Sequence, residues 1–190
     1  VKVLEGLKNT LTIAVLGLII GIVIGTLIAT ARVIPQYKVL PRILNKICSF
    51  YVALFRGTPI VVQLLVFYYV LLPLMGSRMT GIQVAVMVFG LNSAAYISEI
   101  MRGGIMSVDS GQMEAGRAVG LSFGTTMLKI VIPQAVKNIL PTMGNELIAL
   151  IKDTSVVSFV GATDLYVAFS FIGSSNYEFM VPYLVMALIY

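Results

Sequence analysis

Apolar residues in this chain gather into long runs separated by short polar connections. After ten mostly polar residues, Leu11 to Ala31 supplies about twenty apolar positions, the length a helix needs to cross a bilayer. Gly17, Gly21, Gly25 and Ala29 recur in it at four-residue spacing, a smooth ridge on which another helix can lie. Further runs extend from Ile47 to Leu72, from Gly81 to Gly103 and from Ile139 to Phe159, and a fifth starts at Tyr177. The pattern predicts an all-α fold: a polytopic transmembrane helical bundle of five spans in one domain, 1–190.

Breaks in the pattern are as informative as the runs. Arg56-Gly57-Thr58-Pro59 falls inside the second span, where Pro59 removes a helical hydrogen bond and opposes the carbonyl of Phe55, so a kink or break is expected near Gly57. Opened backbone and a charged side chain at that depth need protein or water around them. Two readings follow: a shaped solute pathway, or a structural kink with Arg56 paired internally or reaching an interface. In the third span Asn92, Tyr96 and Glu99 share one helical face, and Glu99 is either a functional carboxylate or the partner of Arg102 or Arg56. In the fourth, Glu146 and Asp153 lie seven residues apart on a common face; Lys152 and Asp153 also fit a neutralised pair near an interface. Gly161 to Asn176 reads as an external segment with a short helix over 164–171. From Tyr177 only about fourteen residues remain, fewer than the roughly twenty of a full crossing, so this span is expected to continue, and the lack of an initiator Met suggests the same at the start.

Charge assigns sides. Arg32, Lys38, Arg42, Lys46, Arg102, Arg117, Lys129 and Lys137 fall in two connections, against Lys2, Lys8 and Arg78 in the others. The positive-inside rule then puts the N-terminus outside and the C-terminus in the cytoplasm.

The longest polar interruption, about 107–141, joins the third and fourth spans. Asp109 is a fair N-cap with Gln112 as its capping-box partner, so Gln112 to Val119 predicts a short helix ended by Gly120 in the left-handed conformation. Ala115, Gly116, Ala118 and Val119 give that helix a small-residue face, flanked by Glu114 and Arg117 at i,i+3 spacing. A second short helix is expected from Ser122, stopping before Pro133.

Composition narrows the chemistry. The chain is 58% hydrophobic and 11% charged, outside the range of a soluble domain. It has no His, which removes HExxH zinc sites and the usual Ser-His-Asp triad, and Cys48 is its only cysteine, reading as a packing residue. The net charge of +5 is scattered over loops rather than gathered into a nucleic-acid face. No phosphate-binding G-x-x-x-x-G-K-[ST] occurs, so any ATP must be bound by another polypeptide.

Glu114-Ala115-Gly116, then Gly120, then Ile130, Ile132 and Pro133 resemble the EAA loop of ABC importer permeases, E-A-A, three residues, G, nine residues, I-x-L-P, with Gly116 and Ile132 departing conservatively. The strings RGTPIVVQ from Arg56, AAYISEIMRGGIMSV from Ala94 and LIKDTS from Leu150 are similar to the polar amino acid subfamily of these permeases. The resemblance implies a type I ABC importer-like fold in a bacterial inner membrane and no enzymatic activity in this chain. It implies as partners two ATPase subunits that bind ATP and Mg, a second permease subunit, and an extracytoplasmic substrate-binding protein. The solute would be a polar amino acid of the glutamine, glutamate, arginine, histidine or lysine class. Glu114, Ala115, Gly116, Arg117 and Gly120 would couple to the ATPase; Thr58, Gln63, Asn92, Tyr96, Glu99 and Asp153 are the candidate solute contacts. An ion-driven transporter or channel, whose intramembrane acids relay ions, and a non-transporting assembly subunit are the rival readings from the residues alone.

Overall fold

The computed structural model describes residues 2–35 and 37–190, and these form helices joined by short turns. Helix α1 (Lys2–Val33) begins well before the apolar run, because its polar first turns are held by a distant segment: Asn9 Nδ2 donates to the Thr163 carbonyl at 2.8 Å, and the Leu165 amide donates to Thr10 Oγ1 at 3.2 Å. Helix α2 (Val39–Gly57) ends at the expected break. Helix α3 (Ile60–Val66) continues as a π-helical stretch (Phe67–Leu71) and one last turn, α4 (Leu72–Leu74), with the two arms at 106° to each other.

Helix α5 (Gly81–Met106) is the centre of the bundle. Thr80 and Gln83 cap it reciprocally, and it carries the largest set of buried residues, from Val84 to Ser98. The α1 ridge lies directly on it. A Cβ at Gly21 would stand 2.7 Å from Ser93 Oγ, and one at Gly25 would stand 2.9 Å from the Ala94 carbonyl oxygen, so nothing larger than glycine allows this approach. Around that contact Ile13, Leu64, Val88, Phe89, Leu150 and Val157 close the core.

Beyond α5 come α6 (Ser110–Ala118) and α7 (Phe123–Thr126). A π-helical stretch (Met127–Val131), α8 (Ile132–Asp153) and a 3-10 stretch (Thr154–Val160) then follow without interruption. The fourth span is thus longer than its apolar run, and the helix expected to stop before Pro133 passes through it. The reason is the π turn immediately before the proline: the Ile132 amide bonds the Met127 carbonyl, one residue further back than in an α-helix, and the widened turn accommodates the ring. The same device precedes Pro73, where the Leu72 amide bonds the Phe67 carbonyl. Helix α9 (Leu165–Asn176) starts on the Asp164 cap and lies at 60° to the fourth-span helix, and α10 (Met180–Ile189) forms the apolar fifth element. By length and composition α1 and α5 qualify outright as spans, the two bent pairs can each count as one, and α10 is shorter, so five spans is an approximate count.

Candidate functional site

The break in the second span is built by hydrogen bonds as well as by Pro59. Where α2 stops, the carbonyls of Phe55 and Thr58 lose their helical partners, and Gln63 from the first turn of α3 reaches back to them. Its Nε2 lies 2.8 Å from the Phe55 oxygen, 3.0 Å from the Thr58 oxygen and 2.9 Å from Thr58 Oγ1. Asn92 joins from α5, its Nδ2 donating to Gln63 Oε1 at 3.0 Å and to the Phe55 oxygen at 3.3 Å. Gln63 and Asn92 are both nearly buried, so these bonds form where water competes little.

In front of the break lies a cleft of about 470 Å³, lined by Arg56 to Ile60, Asn92, Tyr96, Glu146, Ala149, Leu150 and Asp153. It sits midway along α5 and towards the far half of α8, between opened backbone on one side and acidic side chains on the other. The Arg56 guanidinium lies 5.2 Å from the centre of the Tyr96 ring, a cation–π distance that holds the positive charge at the rim. Across the cleft Ser93 Oγ donates to Glu146 Oε1 at 3.0 Å, orienting that carboxylate, while Asp153 is exposed. One region thus offers cationic and anionic groups together.

Four of the six residues expected to meet solute, Thr58, Asn92, Tyr96 and Asp153, line this cleft. Two do not. Gln63 stands behind the wall with its amide committed to backbone, which makes it a support rather than a contact. Glu99 is held elsewhere. Arg32 Nη1 from the end of α1 donates to its Oε1, and Arg102 Nη2 and Nε donate to its Oε2 at 2.9 and 3.1 Å. Glu99 borders a separate hollow with Ser107, Asn138 and Thr142. The pairing with Arg102 follows the i,i+3 spacing; Arg32 lies 67 positions away, and periodicity within one helix does not reveal it. Arg56 and Glu146 also line the cleft, and the shared face of Glu146 and Asp153 was the available signal for the second of these.

The polar arm begins on the Asp109 cap, whose Oδ1 accepts from the Gly111 amide at 2.6 Å. Gln112 does not complete a capping box; its Oε1 accepts from Gln134 Nε2 at 3.2 Å instead, tying α6 to α8. The helix ends as expected at Gly120, φ +87°, with the Leu121 amide bonded to the Gly116 carbonyl and the Gly120 amide to that of Arg117. Glu114, Ala115, Arg117 and Gly120 are exposed, and no ion pair joins Glu114 to Arg117 among the described residues, Arg117 Nη1 donating to the Leu121 carbonyl at 3.1 Å. Gly116 is a correction to the expected outward face: it is buried against Thr126 of α7, where a Cβ would stand 2.9 Å from Oγ1. The second arm of the hairpin needs that space.

A bundle of apolar helices with a charged cleft midway along its central helix and an exposed helical arm at one end has the form of a membrane transport subunit. The chain belongs to the family described as binding-protein-dependent transport system inner membrane component, whose model matches residues 17–190. It is 39% identical over 188 residues to the arginine transport system permease protein ArtQ of Bacillus subtilis, covering 99% of this chain and 84% of that protein. A putative glutamine transport system permease protein GlnP of Rickettsia bellii is 38% identical with the same coverage. Among solved structures, a chain of an amino acid ABC transporter crystallised with histidines superposes with a TM-score of 0.90 at 36% identity, covering 100% of this chain and 86% of that one. The MetNI methionine ABC transporter, at 19% identity and a TM-score of 0.77, over 98% of this chain and 88% of that one, shares the fold.

Proposed function

We propose that this chain is a permease subunit of an ATP-driven importer of polar amino acids, and that the cleft between the broken second span and α8 is its solute site. The carrying observation is the pairing of Arg56 with Glu146 and Asp153 around one cavity of amino-acid size. A polar amino acid needs a donor set for its carboxylate and acceptors for its ammonium and for any cationic side chain, and both kinds of group line this cavity. The names of the relatives, an arginine and a glutamine permease, support the same substrate class.

The chain performs no bond chemistry. ATP and Mg belong to two partner ATPase subunits, one of which engages the exposed face of α6 through Glu114, Ala115, Arg117 and Gly120. A second permease, identical or similar, covers the open side of the cleft, and an extracytoplasmic binding protein delivers solute. The N-terminus lies outside and the arm in the cytoplasm, as the excess of Lys and Arg on the arm's side supports. Closure of the ATPases displaces α6; because Gln112 is bonded to Gln134, the displacement passes into α8 and moves Glu146 and Asp153 relative to Arg56.

The test is reconstitution of the complete permease–ATPase complex in vesicles with its binding protein. Uptake of arginine or glutamine that requires ATP is the expected result. Uptake driven by an ion gradient without ATP would overturn the proposal.

A further inference from the structure

We infer that Asn92 presents only its carbonyl oxygen to the cleft, as the acceptor for the α-ammonium of the solute, and that Gln63 is the positioning residue fixing this polarity. The inference rests on the solute site proposed above and deepens it.

Hydrogen-bond bookkeeping around the broken span admits one orientation of both amides. A backbone carbonyl can only accept. The end of Gln63 that faces the oxygens of Phe55 and Thr58 must therefore be its NH₂ group. Thr58 Oγ1 does not relax this, because its single hydrogen donates to the Leu54 carbonyl at 2.8 Å and it can only accept from Gln63. Gln63 Oε1 is then the atom turned to α5, and the group of Asn92 that meets it must be a donor. The Phe55 oxygen imposes the same choice on Asn92 independently. Both Asn92 amide hydrogens are thus directed to acceptors behind the wall, Gln63 Oε1 and the Phe55 oxygen.

What remains is Oδ1. It has no partner on the chain among the described residues, it is not sealed from solvent, and Asn92 lines the cleft. An amide usually offers a ligand both a donor and an acceptor; here the fold has removed the donor. Asn92 therefore favours an N–H-bearing group and disfavours a carboxylate, and it stands on the same cleft as Glu146 and Asp153, while Arg56 supplies the donors. The same reasoning separates the roles of two residues that look alike in sequence: Asn92 touches solute, and Gln63 acts through it.

The test is equilibrium dialysis of radiolabelled arginine against the purified permease–ATPase complex without binding protein, with competition by the analogue of arginine that lacks the α-amino group. Asn92→Leu is expected to weaken arginine about tenfold or more and to leave the desamino analogue unchanged, since only arginine loses a charge-assisted bond. Gln63→Met, which removes one of the two acceptors that hold the Asn92 amide and leaves the Phe55 oxygen alone to orient it, is expected to weaken arginine several-fold, again with the analogue unchanged. A residue with a merely structural role would shift both ligands together. Equal weakening of the two ligands in both variants overturns the acceptor assignment while leaving the solute site standing. A wild-type complex that binds no polar amino acid in this assay overturns the site and the assignment together. Should Asn92→Leu fail to assemble, the arginine-to-analogue ratio of Gln63→Met decides the matter.

Discussion

Gly116 rests on Thr126 with no room for a methyl group between them. This contact closes the helical hairpin on which α6 is carried, so the one position where the arm departs from an E-A-A pattern is also the one turned into the chain. Gly116→Ala is expected to prop α6 away from α7 at a cost of about 1–3 kcal/mol, lowering both thermal stability and ATP-dependent uptake. Thr126→Ser removes the methyl that the new Cβ meets, and the double variant is expected to recover part of both losses. Unchanged melting and uptake for Gly116→Ala would show the contact to be slack.

Ala115, one residue earlier, is exposed. Ala115→Trp should leave the permease itself within about 0.5 kcal/mol of its original stability, as an exposed substitution does, while preventing co-purification of the ATPase. Retention of the ATPase would remove this face from the coupling surface.

Glu99 balances two arginines at the end of the bundle nearest the arm. Glu99→Gln leaves half-buried Arg32 without a counter-charge, and a loss of order 2 kcal/mol is expected, below that of a fully buried pair because all three groups keep some contact with solvent. Arginine affinity measured on the folded fraction should be unchanged. A selective loss of affinity with normal melting would return Glu99 to the solute site.

At the cleft, Asp153→Asn and Glu146→Gln should each weaken a cationic solute such as arginine more than neutral glutamine, by about tenfold for the more enclosed Glu146 and less for exposed Asp153. Competition uptake with the two amino acids gives the ratio; an unchanged ratio for both variants would place the cationic group elsewhere.

Much of this architecture is legible in the chain because it is local. The four-residue recurrence of Gly17, Gly21 and Gly25 announces a helix contact, and Pro59 after Gly57 announces a break. Gly120 is legible as a left-handed terminator for the same reason. What escapes is whatever depends on a partner far away in sequence. Periodicity places Asn92, Tyr96 and Glu99 on one face but says nothing of depth, and less than one turn of helix separates Tyr96 in the cleft from Glu99 paired to Arg32. Gln63 carries the composition of a solute contact, and only the position of the Phe55 and Thr58 carbonyls turns it into a support. The passage of the helix through Pro133 was hidden for a related reason: a proline implies a stop until the preceding turn is seen to be wide.

Those wide turns also preserve the angular phase of everything after them. A π turn is an α-helical turn carrying one extra residue, and each residue of an α-helix advances the chain by about 100°. Deleting a single residue within Met127–Val131 would turn the wide turn into an ordinary one and leave Glu146 and Asp153 facing Arg56. Deleting one from the regular helix between Pro133 and Glu146 would instead swing both about that angle away, with every charged side chain intact. The alignment of the two walls is therefore written in the residue count between Pro133 and Glu146 as much as in the identity of the charges.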